Sequence, residues 1–166
     1  MRLKTVFLFV FAVAALTACA TRPPAASRPE PLTRPGTGGA TEPVTEAAFM
    51  ALSLVGTPYA AGGASVETGF DCSGLVAYVY ERALQLSLPR NTFDLARVGV
   101  AVPAAELNPG DLVFYNTQRR PFSHVGIYLG DLRFVHAPST GGAVRVEDMR
   151  LDYWTRRFDG ARRIAF

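Results

Sequence analysis

Cysteine is nearly absent from this chain: only Cys19 and Cys72 occur, so no disulfide framework can hold it together. Histidine is equally scarce, with His124 and His136 alone. Neither HExxH nor CxxC is present, which removes the usual short signatures of a metal centre. Lysine occurs once, as Lys4, and the basic residues form no run longer than the pairs Arg119-Arg120 and Arg162-Arg163. The formal charge of +3 includes Arg2 and Lys4; without them 15 basic residues face 14 acidic ones. That balance excludes the broad basic surface of a nucleic-acid binder, and no nucleic-acid partner is expected. No internal repeat is visible. The longest apolar run, Val6 to Leu16, has 11 residues, well short of the roughly 20 needed to span a bilayer.

That run has another use. Arg2 and Lys4 precede it and Leu16-Thr17-Ala18-Cys19 closes it, which is the layout of an export signal. The ending is similar to the lipobox of bacterial lipoproteins. The resemblance implies cleavage after residue 18 and acylation of Cys19, hence a membrane partner through lipid chains. Two or more chains, at about 0.8 kcal/mol per buried CH₂, give a firm anchor. Ala20 in place of Asp implies the outer membrane, and the expected location is its periplasmic face. Cys72 would then be the only thiol of the mature chain. An unpaired cysteine in an oxidising compartment points to a chemical role, with a buried inert cysteine as the alternative.

Residues 19–43 carry Pro23, Pro24, Pro29, Pro31, Pro35 and Pro43 among Thr, Ala, Gly and Arg. They offer almost nothing to a core and read as a disordered tether, reaching at most roughly 70 Å at about 3 Å per residue. Residues 44–166 fit one domain. Val44 to Val55 has helical spacing and stops at Gly56. Asp71 can cap a helix running to about Ala83, and Thr92 to Arg97 suits a short one. Strands are expected at Leu112 to Tyr115, Val125 to Leu129, Leu132 to His136, Val144 to Val146 and Arg162 to Phe166. Helices first and strands second predict an α+β fold with N-terminal helices packed on an antiparallel sheet. The chain is expected to be monomeric.

Cys72 would open the capped helix, where free N–H groups and the helix dipole favour a thiolate. Gly74 in the first turn is costly for a helix unless substrate or a packed strand must approach the backbone closely. His124 and His136 flank a tight connection. A thiol, an imidazole and a third polar group form a nucleophile, base and orienting residue. Spacing alone does not say which histidine is the base. A Cys-His-His zinc site is the competing chemistry, without an evident fourth ligand. For the imidazoles to meet, the hairpin needs an odd loop or a bulge; a two-residue loop at Gly130-Asp131 would turn them to opposite faces. The expected arrangement sets His124 directly across from His136.

Several stretches, in order, resemble the NlpC/P60 family of papain-like cell-wall cysteine peptidases. They are Gly56-Thr57-Pro58-Tyr59, Gly62-Gly63, Gly69-Phe70-Asp71-Cys72-Ser73-Gly74-Leu75-Val76, Leu88-Pro89-Arg90-Asn91-Thr92, Pro109-Gly110-Asp111-Leu112, Ser123-His124-Val125-Gly126, Phe134-Val135-His136-Ala137 and Tyr153-Trp154. The resemblance implies that Cys72 is the nucleophile, His124 the base, His136 the third polar residue, and Tyr59 an oxyanion donor. Ser73 would line the substrate site and Arg90 approach substrate carboxylates, while Asp71 caps and orients the helix beside them. It also implies a cofactor-free endopeptidase acting on peptidoglycan stem peptides. The bond would be D-γ-glutamyl–meso-diaminopimelate or the D-alanyl–meso-diaminopimelate cross-link. Ala61 stands where many relatives have an aromatic, and Leu95 where many have Gln; both bear on groove shape. A thioester-forming acyltransferase and a non-enzymatic wall-binding module are the alternatives.

Overall fold

A computed structural model describes residues 42–139 and 142–164. The export signal, Cys19 and most of the tether lie outside the described residues. The elements run α1 (Glu42–Ser53), β1 (Ala64–Ser65), β2 (Gly69–Phe70), α2 (Cys72–Leu84), α3 (Thr92–Leu95), β3 (Val100–Val102), β4 (Leu112–Tyr115), β5 (His124–Gly130), β6 (Arg133–His136), β7 (Arg145–Asp148), α4 (Asp152–Thr155) and β8 (Phe158–Arg163). The architecture is α+β, as expected. Six antiparallel strands follow the order β3-β8-β4-β5-β6-β7, and β1 and β2 form a separate pair.

Alternation along the strands gives the sheet two buried faces. Leu112, Phe114, Val125, Ile127 and Val135 join Ala47, Ala51, Leu75, Val76 and Val79 of α1 and α2 in the main core. Val113, Tyr115, Tyr128, Phe134 and Ala161 point the other way and are covered by Trp154 of α4. Tyr115, Phe134 and Trp154 pack with ring centroids 4.8–5.0 Å apart. Asp111 is fully buried before β4, yet it is satisfied: Arg163 grips both its oxygens at 2.8 and 2.7 Å, and the Asn108 N–H donates to it. Burial of that carboxylate is tolerable because a charged fork and a backbone donor replace its water.

Three expectations are corrected. α1 starts at Glu42, within the stretch read as tether, because Glu42 and Pro43 suit a first helical turn. The last strand is β8, which begins at Phe158 and leaves the sheet after Arg163. The hairpin is the third. The turn residues are Asp131 and Leu132, both at positive φ (51° and 56°), as a two-residue type I′ turn requires. Ile127 pairs with Val135 and Tyr128 with Phe134, but Gly130 pairs with Arg133, so one extra residue bulges out of β5. That bulge puts the two histidines on one face. The register sets His136 across from Gly126, however, so His124 is its diagonal neighbour, two residues along, instead of its direct partner.

Candidate active site

The site forms where β5 begins, beside the first turn of α2. Asp71 caps that helix, accepting from the Gly74 N–H at 2.6 Å and from the Ser73 hydroxyl at 3.0 Å. Ser73 shares that hydroxyl hydrogen with the Arg90 carbonyl oxygen at 2.8 Å. The Arg90 guanidinium lies 3.9 Å from Asp71 and reaches the Gly62 and Gly63 carbonyls at 3.4 Å. Gly63 also accepts the Asp71 N–H at 3.1 Å. A Cβ on Gly74 would run into that Gly63 carbonyl oxygen. The glycine in the first turn is therefore required by the close approach of the neighbouring loop. The structure brings Asp71, Ser73 and Arg90 together, and their polar atoms bind one another.

Cys72 is the first residue of α2, where the backbone N–H groups of Val125, Ser73 and Cys72 itself pull the thiol pKa down. The Val125 N–H that acts on the sulfur belongs to the residue next to His124. These donors favour the thiolate, but burial outweighs them and, with the Asp71 charge, holds the thiol above its ordinary pKa. The expected helix-end thiolate is thus a neutral thiol at rest. Tyr59 stands near enough to feel the charges of Asp71 and Cys72; burial first, then those two charges, raises its phenol. Its position comes from backbone pairing: Tyr59 bridges to Phe70 and donates to the Gly142 carbonyl at 2.8 Å.

Both histidines are buried over the aromatic cluster. His124 Nε2 and His136 Nδ1 are 2.7 Å apart, with the rings nearly perpendicular. Trp154 stacks near His124 and meets His136 edge-on. Burial lowers the His124 pKa to about 4. His136 is lowered further by burial, then by His124 and Arg145. Both imidazoles are therefore neutral at neutral pH. His136 Nε2 is buried without a hydrogen-bond partner among the described residues, and the nearest acid is Glu147, 3.9 Å away.

Two site residues went unnoticed in the sequence. Arg145 pairs directly across from His136 on β7, and Glu147 pairs across from Phe134. They share the face that carries the imidazoles. Only the β6–β7 register reveals them; before it is known, Arg145-Val146-Glu147-Asp148 reads as an ordinary surface strand. With Thr117, Tyr153 and Trp154, Arg145 and the histidines line a cleft of about 80 Å³. Among the described residues no group of three or more His, Cys, Asp or Glu is gathered so as to hold a metal ion.

Known proteins are similar to this chain. Murein DD-endopeptidase MepH of Escherichia coli (strain K12) is 42% identical over 116 residues, 68% of this chain and 43% of that protein. A probable endopeptidase of Haemophilus influenzae is 42% identical over 110 residues, 66% of this chain and 67% of that protein. This chain spans about half the length, or less, of the first curated relatives it matches. Among solved structures, a protein of Staphylococcus aureus subsp. aureus Mu50, described as similar to lipoprotein, NLP/P60 family, superposes with a TM-score of 0.67 at 36% identity, covering 78% of this chain and 44% of that one. The NlpC/P60 family model matches residues 56–163, the span that holds the Cys72 helix start, the histidine hairpin and the sheet beneath them, and on that match the chain belongs to the NlpC/P60 family.

Proposed function

We propose that the protein is a peptidoglycan endopeptidase that hydrolyses amide bonds of stem peptides by a Cys-His-His thiol mechanism. One observation carries this reading: a free thiol at a capped helix start, under the influence of the backbone N–H next to His124, whose Nε2 is 2.7 Å from His136 Nδ1. With Nε2 engaged by His136, the free nitrogen of His124 is Nδ1, the atom available to the thiol.

The reaction begins from neutral partners. As Cys72 Sγ attacks the carbonyl carbon, its proton passes to His124 Nδ1 and the carbonyl electrons move onto oxygen. His124 then donates through Nε2–H to His136 Nδ1, which steadies the imidazolium that burial alone would disfavour. The Tyr59 hydroxyl and the Cys72 backbone N–H stabilise the oxyanion. Collapse breaks the C–N bond, and the proton on His124 goes to the leaving nitrogen. Water, deprotonated by His124, then splits the thioester and restores the thiol. No cofactor enters.

The substrate class rests on relatives whose names include murein DD-endopeptidase. A bond between two D-centres is the D-alanyl–meso-diaminopimelate cross-link, which these names favour over D-γ-glutamyl–meso-diaminopimelate. Asp71, Ser73 and Arg90 form the rigid acyl-side wall against which the stem peptide lies. Acylated Cys19 and the Pro-rich tether would hold a monomeric enzyme at the periplasmic face of the outer membrane. Among the described residues no helix is long and apolar enough to cross a membrane.

The test uses the protein from residue 20 onward with purified monomeric and cross-linked muropeptides, beside Cys72→Ala, with products read by mass spectrometry. Dimers becoming intact monomers establish cross-link cleavage. Loss of the L-Ala–D-Glu portion establishes the other bond. Products that persist in Cys72→Ala, or no product from any muropeptide, refute the proposal.

A further inference from the structure

We infer that Arg145, braced by Glu147, reads a free carboxylate on the amine-donating half of the substrate. The inference rests on the endopeptidase reading and deepens it. Its physical basis is the cleft beside His124. A general acid must stand next to the nitrogen it protonates, so the half of the substrate that leaves as an amine lies on the His124 side. The cleft lined by His124, His136, Arg145 and Trp154 is that side.

The lining is neutral apart from one residue. Both imidazoles are uncharged, and Trp154, Tyr153 and Thr117 carry no charge there, so Arg145 is the only cation among the described lining residues. Its side chain is half-exposed, and its Nε donates to Glu147 Oε1 at 2.7 Å. Glu147 is itself held, with Trp154 Nε1 at 3.5 Å from its other oxygen. The brace uses the inner edge of the guanidinium. Among the described residues neither Nη donates a hydrogen bond that would close the outer edge. A planar pair of donors with a fixed direction suits a carboxylate, and a lysine would not reproduce that fork. Among the described lining residues no side chain is acidic, and the nearby Glu147 is taken up by Arg145 Nε.

In either candidate bond the released amine belongs to meso-diaminopimelate, whose D-centre carboxylate stays free while its L-centre carboxyl continues the stem. Arg145 thus selects for the free acid over the carboxamide of that residue. Glu147 keeps the guanidinium over His136, its partner across the β6–β7 ladder, instead of letting it swing into water.

Two stem-peptide substrates that differ only in a carboxylate or carboxamide on the released diaminopimelate test this. The wild-type protein should prefer the acid by about 10-fold or more in kcat/KM, expressed in KM, as a charged hydrogen-bonded contact implies. Arg145→Ala should bring the ratio close to one, Arg145→Lys should keep part of it, and Glu147→Gln should reduce it. Equal use of both substrates by the wild type, or an unchanged ratio in Arg145→Ala, overturns the assignment. Calorimetric binding of the released-half peptide, acid against amide, to Cys72→Ala gives a second reading independent of turnover. A protein that cleaves nothing but binds the acid preferentially, with the preference lost in Cys72→Ala/Arg145→Ala, removes the endopeptidase reading and keeps Arg145. One that cleaves both substrates and binds both equally removes only Arg145.

Discussion

The two walls of the site are built in opposite ways. On the helix side, Asp71, Ser73, Arg90 and Gly63 satisfy one another, and almost every donor there has an acceptor. On the strand side, His136 Nε2 has no hydrogen-bond partner among the described residues, two neutral imidazoles are buried together, and Arg145 lines a cleft with open donors. A fully paired network is rigid; an incompletely paired one is costly to bury and is retained where chemistry uses it. In the proposed mechanism the helix wall holds the thiol still, whereas the strand wall changes protonation state and receives part of a ligand. The backbone N–H groups of Ser73 on one side and Val125 on the other both favour a negative sulfur.

Substitutions can break this contrast. The largest effect should come from the strand wall: His124→Ala should lower kcat by about 10³-fold, within the range of a lost general base, with little change in thermal midpoint. A loss under tenfold in stopped-assay kinetics would remove His124 as the base. Next is Gly74→Ala in the helix wall. Its Cβ meets a backbone carbonyl that cannot step aside, so stability should drop by about 3 kcal/mol in denaturant unfolding, and activity should follow. A neutral result would mean the Gly63 loop moves freely.

Asp71→Ala should cost about 1–2 kcal/mol through loss of the cap, while Asp71→Asn keeps most of it. If KM instead changes strongly at unchanged stability, Asp71 contacts substrate and the helix wall is more than scaffold. The smallest effect per unit is the response to acid. An imidazole titrates near 6.5 when unfolded, but His124 only near 4 in the fold and His136 lower still. Between about 6.5 and 4 the unfolded chain therefore binds more protons. Stability is full above that window and falls as pH falls through it, by at most about 1.4 kcal/mol per pH unit for each imidazole. His136→Asn should flatten the slope of thermal midpoint against pH; an equally steep slope would show that other groups govern the acid transition.

Local signals were readable where one residue type has one job. Asp71 before an apolar helical pattern announced the α2 cap, and β4 coincides with the strand expected at Leu112 to Tyr115. The short, exposed β3 gave no such signal, since Val100 and Ala101 have little burial pattern and the strand exists through pairing with β8. The hairpin shows the limit more sharply. The odd count between the histidines was legible as a need for a bulge. The turn was not, because Leu132 at φ 56° is a choice that local preference argues against and the sheet imposes. That shift of one turn position changed the histidine pair from opposite to diagonal.

The sequence by itself determined the candidate reacting groups: a thiol at a helix start, two imidazoles on one hairpin, and the motif order that marks the family. Each depends on neighbours within a few residues, where backbone preference and capping decide. Tertiary structure alone decided the charge state of those groups and the second half of the cleft. Burial pushes the thiol pKa up and both imidazole pKa values down, so all three stay neutral, and burial is the sum of contacts from α2, α4 and the sheet. Strand pairing carried Arg145 and Glu147 to His136 from β7, because register between strands is set by packing on both faces of the sheet and not by any local run of residues.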